Sequence, residues 1–307
     1  MEERVLEVSN LVKNYGSFRA VDGISFSVGR GKIVGFLGPN GAGKTTTIQI
    51  LSGITLANGG SVSYFGKNFS THRTECLQRI NAASAFNTLM GKISVWENLF
   101  VFAELYQVEN PRKMISDLLA QFEISDLRDT LYKDLSSGQK TRVNIAKSLL
   151  NDPELLLMDE PTASLDPDIA DKTLSLIEQL RKDRNLSILY TSHNMNEITR
   201  ICDEVIFLDH GKIVAQDTPL NLTKRISSAT LRVSFDAHTL EFDTYLREKK
   251  LDATFPEPNT VAILSHEAGI PGILFDLSKT GIWITDIEVA KPTLEDVFLQ
   301  IARKDTV

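Results

Sequence analysis

The chain has 307 residues, which at about 150 residues per domain suffices for one large domain and a smaller one. Its 33 Lys and Arg residues against 40 Asp and Glu residues give a formal net charge of −7, which argues against a general affinity for nucleic-acid backbones. The two cysteines, Cys76 and Cys202, have no CxxC spacing, so they exclude a zinc knuckle, disfavour a disulfide scaffold and suit a reducing cytosol.

No membrane span is predicted from the sequence. The longest uncharged stretch, Thr45–Gly66, is interrupted by threonines, serines, asparagine, glutamine and glycines, whereas a span needs a nearly unbroken apolar run. The first ten residues lack the apolar core of a signal peptide. We therefore expect a chain that is soluble by itself and that reaches a membrane only through a partner.

Short apolar strands separated by glycines open the chain, at Val5–Val8, Ile24–Val28 and Lys32–Leu37. The third strand leads into a glycine-rich loop and then into a segment with helical apolar spacing. Further along, the strands Leu155–Met158 and Ile188–Tyr190 flank a helix predicted at Pro167–Leu180. Because strands alternate with helices, the sequence predicts an α/β fold with a mainly parallel sheet.

Two segments depart from this alternation. Between residues 85 and 150 the apolar spacing is helical with little strand signal, which predicts a helical insertion with helices at Ser94–Tyr106, Pro111–Phe122 and Gly138–Leu150. After about residue 220 strands and helices alternate again in a small α+β tail. The tail elements are predicted at Leu231–Phe235, Thr239–Lys249, Val261–Leu264, Pro271–Lys279, Ile282–Val289 and Leu294–Arg303.

The glycine-rich loop has the pattern GxxxxGK[ST]. Its residues are Gly38, Pro39, Asn40, Gly41, Ala42, Gly43, Lys44 and Thr45. Strand, loop and helix follow in the order of a phosphate-binding unit, in which backbone N–H groups and the helix N-terminus converge on phosphate oxygens. We expect Lys44 to bridge the β- and γ-phosphates and the Thr45 hydroxyl to ligate Mg²⁺.

Two adjacent acids, Asp159 and Glu160, end the apolar strand Leu155–Met158. A carboxylate at the strand end can hold Mg²⁺ through its water shell, and the next carboxylate can orient and polarise an attacking water. We therefore expect Asp159 to hold Mg²⁺ and Glu160 to orient and polarise the attacking water. A surface acid pair after a buried strand is the alternative interpretation.

The run Leu135-Ser136-Ser137-Gly138-Gln139, one helix before the Asp159 strand, closely resembles the LSGGQ signature of ATP-binding cassette (ABC) ATPases. Three more parts of the sequence resemble motifs of this family and occur in the same order along the chain. Ala163-Ser164-Leu165-Asp166 resembles its D-loop, His193 resembles its switch histidine, and Tyr15 resembles the aromatic residue that stacks on adenine. The resemblance covers residues 1 to about 220. Taken singly, these residues could also be helix caps, a core histidine and a packing tyrosine.

The resemblance implies a P-loop NTPase core with a mainly parallel sheet, N-terminal antiparallel strands, a helical signature subdomain and a small C-terminal α+β domain. It implies an ABC nucleotide-binding domain at residues 1–220, with the helical subdomain at about 87–152, and an accessory domain at 221–307. The implied ATP contacts are Tyr15, Gly38, Pro39, Asn40, Gly41, Ala42, Gly43, Lys44, Thr45 and Thr46. The implied contacts to ATP held by a partner chain are Ser136, Ser137, Gly138 and Gln139.

The remaining roles that the resemblance implies are catalysis by Glu160 and His193, Mg²⁺ ligation by Thr45 and Asp159, and a D-loop role for Asp166. Its partners would be ATP, an integral-membrane permease and a second copy or related cassette in a head-to-tail dimer. Nucleic acid is not an expected partner. The chain would then be cytoplasmic and peripheral on the inner face of the cell membrane.

Two positions depart from the family pattern. Ser137 stands where the family usually has glycine. Ala85 stands where a glutamine of the Q-loop is expected, about eight residues before Ile93-Ser94-Val95. Asn87, two residues further on, carries a shorter amide that we propose for contact with Mg²⁺ or water. Hydrolysis could therefore be slower or coupled differently.

The run Pro292–Leu299 resembles the ending of bacterial cassette subunits that work with separately encoded permeases, often in drug, antibiotic or polysaccharide export. The leading interpretation is the ATPase subunit of an exporter. A non-transport ABC ATPase of DNA repair or the ribosome is one alternative, although the chain has one P-loop and one signature. A weakly hydrolysing regulatory cassette is the other alternative, because of the missing Q-loop glutamine.

Overall fold

A computed structural model of the chain describes residues 3–84, 89–163, 165–226, 228–236 and 239–304. The chain divides into two compact units, Met1–Pro219 and Leu220–Val307. Ala85 and Asn87 of the expected Q-loop, and Ser164 of the D-loop motif, lie outside the described residues, so their roles stay predictions. In the described ranges no helix is long and apolar enough to cross a membrane.

The first unit contains two sheets, and the central strands of the second one come from apolar runs. An antiparallel sheet has the order β2-β1-β4-β5, and a second sheet has the order β10-β9-β3-β8-β7-β6. The strands are β1 (Arg4–Tyr15), β2 (Phe18–Gly29), β3 (Ile33–Leu37), β4 (Gly59–Tyr64), β5 (Lys67–Asn68), β6 (Ile80–Ser84), β7 (Leu155–Asp159), β8 (Ser187–Thr191), β9 (Glu204–Asp209) and β10 (Lys212–Asp217).

In the second of these sheets the strands β9, β3, β8, β7 and β6 run parallel to one another. The edge strand β10 is antiparallel to β9. All five residues of β3 and all five of β8 are buried, as expected for parallel strands covered on both faces. The predicted α/β fold with a mainly parallel sheet and N-terminal antiparallel strands is thus confirmed. Since parallel strands end at one edge, the segments that follow Leu37, Asp159 and Thr191 emerge together there.

The helices of the first unit begin at recognisable signals. Ser94 and Glu97 form a reciprocal capping box before the third helix, Ser136 and Gln139 form another before the fifth, and a proline opens the fourth and sixth. The helices are α1 (Lys44–Leu51), α2 (Arg73–Gln78), α3 (Val95–Leu105), α4 (Pro111–Gln121), α5 (Ser137–Ser148), α6 (Pro167–Arg184) and α7 (Met195–Ile201). The three predicted insertion helices correspond to α3, α4 and α5.

The second unit is a four-stranded antiparallel sheet with helices, which confirms the predicted α+β tail. Its sheet order is β12-β13-β11-β14, and its buried core includes Phe235 and Phe242 with ring centroids 4.5 Å apart. From the boundary onward the elements are α8 (Pro219–Thr223), β11 (Ser228–Asp236), α9 (Thr239–Lys249), β12 (Asp252–Glu257), β13 (Thr260–His266), α10 (Ile270–Leu277), β14 (Trp283–Ala290) and α11 (Leu294–Lys304). The sequence analysis predicted neither α8 nor β12.

Candidate active site

A cavity of about 640 Å³ lies where β3 ends and α1 begins. It combines the glycine-rich loop with residues from three other parts of the first unit. Its lining residues are Tyr15, Phe18, Ala20, Gly38, Pro39, Asn40, Gly41, Ala42, Gly43, Lys44, Thr45, Thr46, Glu160, Ala163 and His193. Every residue of the predicted phosphate loop, together with Tyr15, Glu160 and His193, therefore lies at one cavity.

The loop has a conformation that requires glycine at its end. Gly43 has φ of 103°, and a Cβ there would lie 2.4 Å from the carbonyl oxygen of Ala20. Gly43 is also the N-cap of α1, and it supplies no side-chain hydrogen bond to the first turn of the helix. The first N–H groups of α1 are therefore open to an anion, and the helix dipole favours negative charge at this end.

Lys44 lies across the loop with only 8% of its surface exposed. Its Nζ donates to the carbonyl oxygens of Gly38 at 2.6 Å and Pro39 at 3.3 Å. Burial lowers the pKa of Lys44, while the charges of Glu160 and Asp159 act in the opposite direction. The ammonium group is thus hydrogen-bonded to the loop carbonyls, and the negative charges of the acid pair favour its protonated form.

The acid pair is held by Thr191, the last residue of β8. β7 and β8 pair in register so that Asp159 lies opposite Thr191, whose Oγ1 donates to Asp159 Oδ1 at 2.6 Å. The Glu160 N–H donates to the Thr191 carbonyl oxygen at 3.1 Å and to Thr191 Oγ1 at 3.0 Å. Glu160 has φ of 51°, in the left-handed region that residues other than glycine rarely adopt. Thr191 is not among the predicted site residues, although it lies only two residues before His193.

Glu160 and His193 are directly hydrogen-bonded, with Nδ1 of His193 2.7 Å from Oε2 of Glu160. Only 16% of the Glu160 side chain is exposed, against 70% of the His193 side chain. An ionised carboxylate only accepts hydrogen bonds, so Nδ1 carries the proton in this pair. The bond fixes the tautomer of the imidazole and the position of Oε2 of Glu160. The other carboxylate oxygen, Oε1, is left available for a water molecule.

The signature residues lie elsewhere. Ser136, Ser137, Gly138 and Gln139 form the N-terminal turn of α5, and none of them lines the cavity. Ser136 and Ser137 are exposed, while a Cβ at Gly138 would lie 2.7 Å from Cγ2 of Ile169 in α6. Asp166 is the N-cap of α6, where it makes no side-chain capping bond, and it too is outside the cavity lining.

The mouth of the cavity has two exposed aromatic side chains, Tyr15 at 47% and Phe18 at 60% exposure. They are joined by the tight β1–β2 turn, and the Nζ of Lys13 lies 5.0 Å from the Tyr15 ring centroid. The sequence predicted Tyr15 at the site and placed Ala163 in the D-loop motif, but Phe18 and Ala20 were missed. Phe18 could have been found as the second aromatic of the same Gly-containing turn, whereas Ala20 carries no sequence signal.

Three comparisons place this arrangement among known proteins. The model of the ABC transporter family matches residues 21–163. The daunorubicin/doxorubicin resistance ATP-binding protein DrrA of Streptomyces peucetius is 30% identical over 305 residues, covering 97% of this chain and 92% of DrrA. The bacitracin transport ATP-binding protein BcrA of Bacillus licheniformis is 31% identical over 307 residues, covering 99% of each protein. The solved structure of cbiO1 from Clostridium perfringens, part of the ABC transporter complex cbiONQ, superposes with a TM-score of 0.66 at 26% identity, covering 81% of this chain and 97% of cbiO1.

Proposed function

This chain belongs to the ABC transporter family as an ATPase subunit, and from that premise we propose that it hydrolyses MgATP in the loop cavity to drive export through a separate permease. The observation that carries the proposal is the meeting of the phosphate loop with the Glu160–His193 pair in one cavity of about 640 Å³. Phosphate binding and water activation are the two requirements of nucleotide hydrolysis, and this cavity supplies groups for both.

ATP would bind with its phosphates against the loop and the first turn of α1. The N–H groups after Gly43 and the buried ammonium of Lys44 would contact the β- and γ-phosphates. The exposed ring of Tyr15 at the cavity mouth would stack on adenine.

The donor set fits Mg²⁺. Thr45 lines the cavity, and Asp159 ends β7 directly before the cavity residue Glu160. A hydroxyl and a carboxylate oxygen are therefore offered, and Mg²⁺ prefers oxygen ligands together with phosphate oxygens. When bound, the ion neutralises charge on the phosphates. Thr191 supports this role, because its 2.6 Å hydrogen bond to Oδ1 fixes the Asp159 carboxylate.

Glu160 would orient and polarise the attacking water, while His193 holds the Glu160 carboxylate through its Nδ1–H. We expect Glu160→Gln to keep ATP binding while turnover falls by about 10²–10⁴-fold, the range for loss of a general base. Steady-state hydrolysis and an equilibrium ATP titration measure the two effects. Glu104→Gln, on the exposed face of α3, is the matched control and should behave as wild type. Hydrolysis by Glu160→Gln at the wild-type rate would contradict the assignment.

The signature supports a dimer. Ser136, Ser137, Gly138 and Gln139 lie outside the cavity of their own chain, so they would contact ATP held by Lys44 of a second cassette, with Asp166 near that contact. A twofold head-to-tail pair gives two equivalent sites from one sequence, although a related cassette could replace one copy. ATP binding would close the pair, and hydrolysis would open it.

Sedimentation of the Glu160→Gln protein with and without MgATP tests the dimer, since slow turnover preserves the closed state. We expect the sedimentation coefficient to rise with MgATP and the rise to be absent in a Glu160→Gln/Lys44→Ala double variant. A strictly monomeric species at saturating ATP, even with the permease present, would overturn the dimer.

Export is proposed because the relatives that align over nearly the whole chain are, by their names, a daunorubicin/doxorubicin resistance protein and a bacitracin transport protein. We propose a drug, antibiotic or polysaccharide type of cargo and a peripheral position on the inner face of the cell membrane. Affinity purification of a tagged chain from detergent-solubilised membranes should recover an integral-membrane permease. Recovery of the tagged chain without any such protein would contradict this part of the proposal.

A further inference from the structure

A buried carboxylate lies behind the Glu160–His193 pair. Glu197, in the first turn of α7, is 6% exposed. Its Oε2 accepts hydrogen bonds from Thr162 Oγ1 at 2.8 Å, Tyr190 OH at 2.8 Å and Ser192 Oγ at 2.9 Å. Its Oε1 accepts from Thr162 Oγ1 at 2.9 Å and from Asn194 Nδ2 at 3.4 Å.

The groups around Glu197 are donors without formal charge. In the described part of the chain no Lys, Arg or His forms an ion pair with Glu197; the nearby Arg200 pairs instead with Asp171 and Glu178. Three hydroxyls and one amide directed at one carboxylate match its ionised form, which accepts without donating. Burial, with the negative charge of Glu197 as the second cause, raises the pKa of Tyr190 well above its ordinary value, so the Tyr190 hydroxyl stays a donor.

The donors come from both segments that carry the proposed catalytic pair. Thr162 follows Glu160 by two residues, and Ser192 and Asn194 are the two neighbours of His193. One side chain therefore ties the segment after β7 to the segment after β8 on each side of His193. A buried carboxylate that loses hydrogen bonds raises the free energy of the folded protein. Displacing either segment from Glu197 is therefore unfavourable.

We propose that Glu197 is a positioning residue that holds Glu160 against His193. The proposal rests on the roles proposed above for Glu160 and His193. None of the residues that donate hydrogen bonds to Glu197 lines the cavity, so Glu197 acts through the two segments that it joins.

Glu197→Gln is the first test. The amide keeps the shape of the side chain but leaves one oxygen where the carboxylate offers two, so the hydroxyl donors can no longer all be satisfied. We expect kcat to fall between about 10- and 100-fold, as for a misplacement of about 1 Å at a reacting group, with the ATP dissociation constant unchanged. Glu178→Gln, which makes the same chemical change in the α6–α7 ion pair, should keep the wild-type kcat.

A spectroscopic measurement separates positioning from a general loss of stability. The chain has five histidines, and loss of one signal in His193→Gln assigns the ¹⁵N resonance of His193 Nδ1. Glu160→Ala gives the chemical shift of His193 without its carboxylate partner. In Glu197→Gln we expect the His193 resonance to move toward that reference, while in Glu178→Gln it stays at the wild-type position.

Thr162 provides a second pair of variants should Glu197→Gln fail to fold. Thr162→Val removes the hydroxyl that contacts both oxygens of Glu197, and Thr162→Ser keeps it. We expect Thr162→Val to lower kcat and shift the His193 resonance, and Thr162→Ser to restore both. A wild-type kcat and an unshifted His193 resonance in folded Glu197→Gln or Thr162→Val would overturn the positioning role. Wild-type hydrolysis by Glu160→Gln would instead overturn the proposed function.

Discussion

At the scale of single residues, the site is built from side chains that follow the ends of buried strands. Asp159 and Glu160 follow the apolar part of β7, and Thr191 ends β8 beside them. The left-handed backbone of Glu160 costs about 1–2 kcal/mol for a residue other than glycine. Its two hydrogen bonds from N–H to Thr191 offset that cost and direct the carboxylate toward His193.

Lys44 gives a prediction at this scale. Lys44→Ala removes a charge-assisted contact to phosphate, and hydrogen bonds to charged groups contribute about 1.5–3 kcal/mol. We expect the dissociation constant for MgATP to rise roughly 10- to 150-fold, measured by calorimetric titration. Lys113→Ala, on the exposed side of α4, should leave the dissociation constant at the wild-type value. Equal affinity of Lys44→Ala and wild type would remove Lys44 from the phosphate contact.

At the scale of elements, the carboxylate of Glu154 joins residues that flank the strands β2, β6 and β7. Glu154 directly precedes β7 and pairs with Arg79, which precedes β6, at 2.5 Å and with Arg30, which follows β2, at 2.8 Å. Backbone bonds from the Glu154 N–H to the Arg79 carbonyl oxygen and from the Ser187 N–H to the Glu154 carbonyl oxygen continue the connection to β8. The pairing order of the sheet is therefore reinforced at the edge opposite the cavity.

The Glu154 contacts predict a pH dependence of stability. The hydrogen bond from Arg79, assisted by Arg30 and opposed by burial, lowers the pKa of Glu154 below its ordinary value of 4.5. A carboxyl with a lowered folded-state pKa adds stability that is present above its unfolded pKa and is lost as the pH falls through the folded one. Glu154→Gln should reduce the free energy of unfolding by about 1 kcal/mol at pH 7.

The same variant should approach the wild-type stability as the pH falls from 4.5 through the lowered folded-state pKa, because the wild-type carboxyl becomes protonated over that range. Urea denaturation at pH 7 and in steps to roughly pH 3 measures the difference. Glu104→Gln should show no such convergence, since it should match wild type throughout. A difference for Glu154→Gln that is the same at every pH would contradict the ionic origin of the effect.

The signature helix gives a second prediction for the elements. A Cβ at Gly138 would lie 2.7 Å from Ile169 Cγ2, so Gly138→Ala forces α5 and α6 apart or displaces Ile169. We expect the free energy of unfolding to fall by about 1–3 kcal/mol, as for overpacking, despite the better helix propensity of alanine. Gly272→Ala in α10, where nothing lies within 4 Å of the added Cβ, should stabilise its own unit.

Ile169→Ala removes the methyl group that the new Cβ would meet. In chemical denaturation the double variant Gly138→Ala/Ile169→Ala should therefore lose less stability than the sum of the single variants. Additive losses would show that the close approach of Gly138 to Ile169 does not restrict this position.

At the scale of the whole molecule, the chain contains two units with separate hydrophobic cores. The core of the first unit includes Leu6, Phe36 and Tyr64, and the core of the second includes Phe235 and Phe242. All residues that line the cavity belong to the first unit. Nucleotide binding therefore depends on the first core, and the accessory role of the second unit stays a prediction.

A chain that ends at Pro219 tests this separation. Because the first core is complete without the second unit, we expect it to fold and to bind MgATP with an unchanged dissociation constant. Circular dichroism and the same calorimetric titration measure both properties. An unfolded product, or a loss of affinity comparable to that of Lys44→Ala, would show that the second unit is needed for the site.

The sequence by itself determined the parts of this protein that are contiguous. The loop from Gly38 to Thr46, the pair Asp159-Glu160 and the turn Ser136–Gln139 are each fixed by neighbouring residues, because glycine conformations, strand ends and capping boxes are local properties. The same holds for the strongly periodic helices α3 to α5. The strands β4, β5 and β12 were not predicted, since they lack an apolar run. The strands β6, β9 and β10 were not predicted either, although β9 contains the apolar run Val205–Leu208.

Only the tertiary structure decided which distant segments meet. A fully apolar strand can pair with any other, so the order β9-β3-β8-β7 could not be deduced from composition, yet that order brings Thr191 beside Asp159 and His193 against Glu160. The burial of Glu197 among donors from Thr162 and Ser192 follows from the same order. The close packing of Gly138 in α5 against Ile169 in α6 is likewise a contact between two helix surfaces that no local pattern encodes.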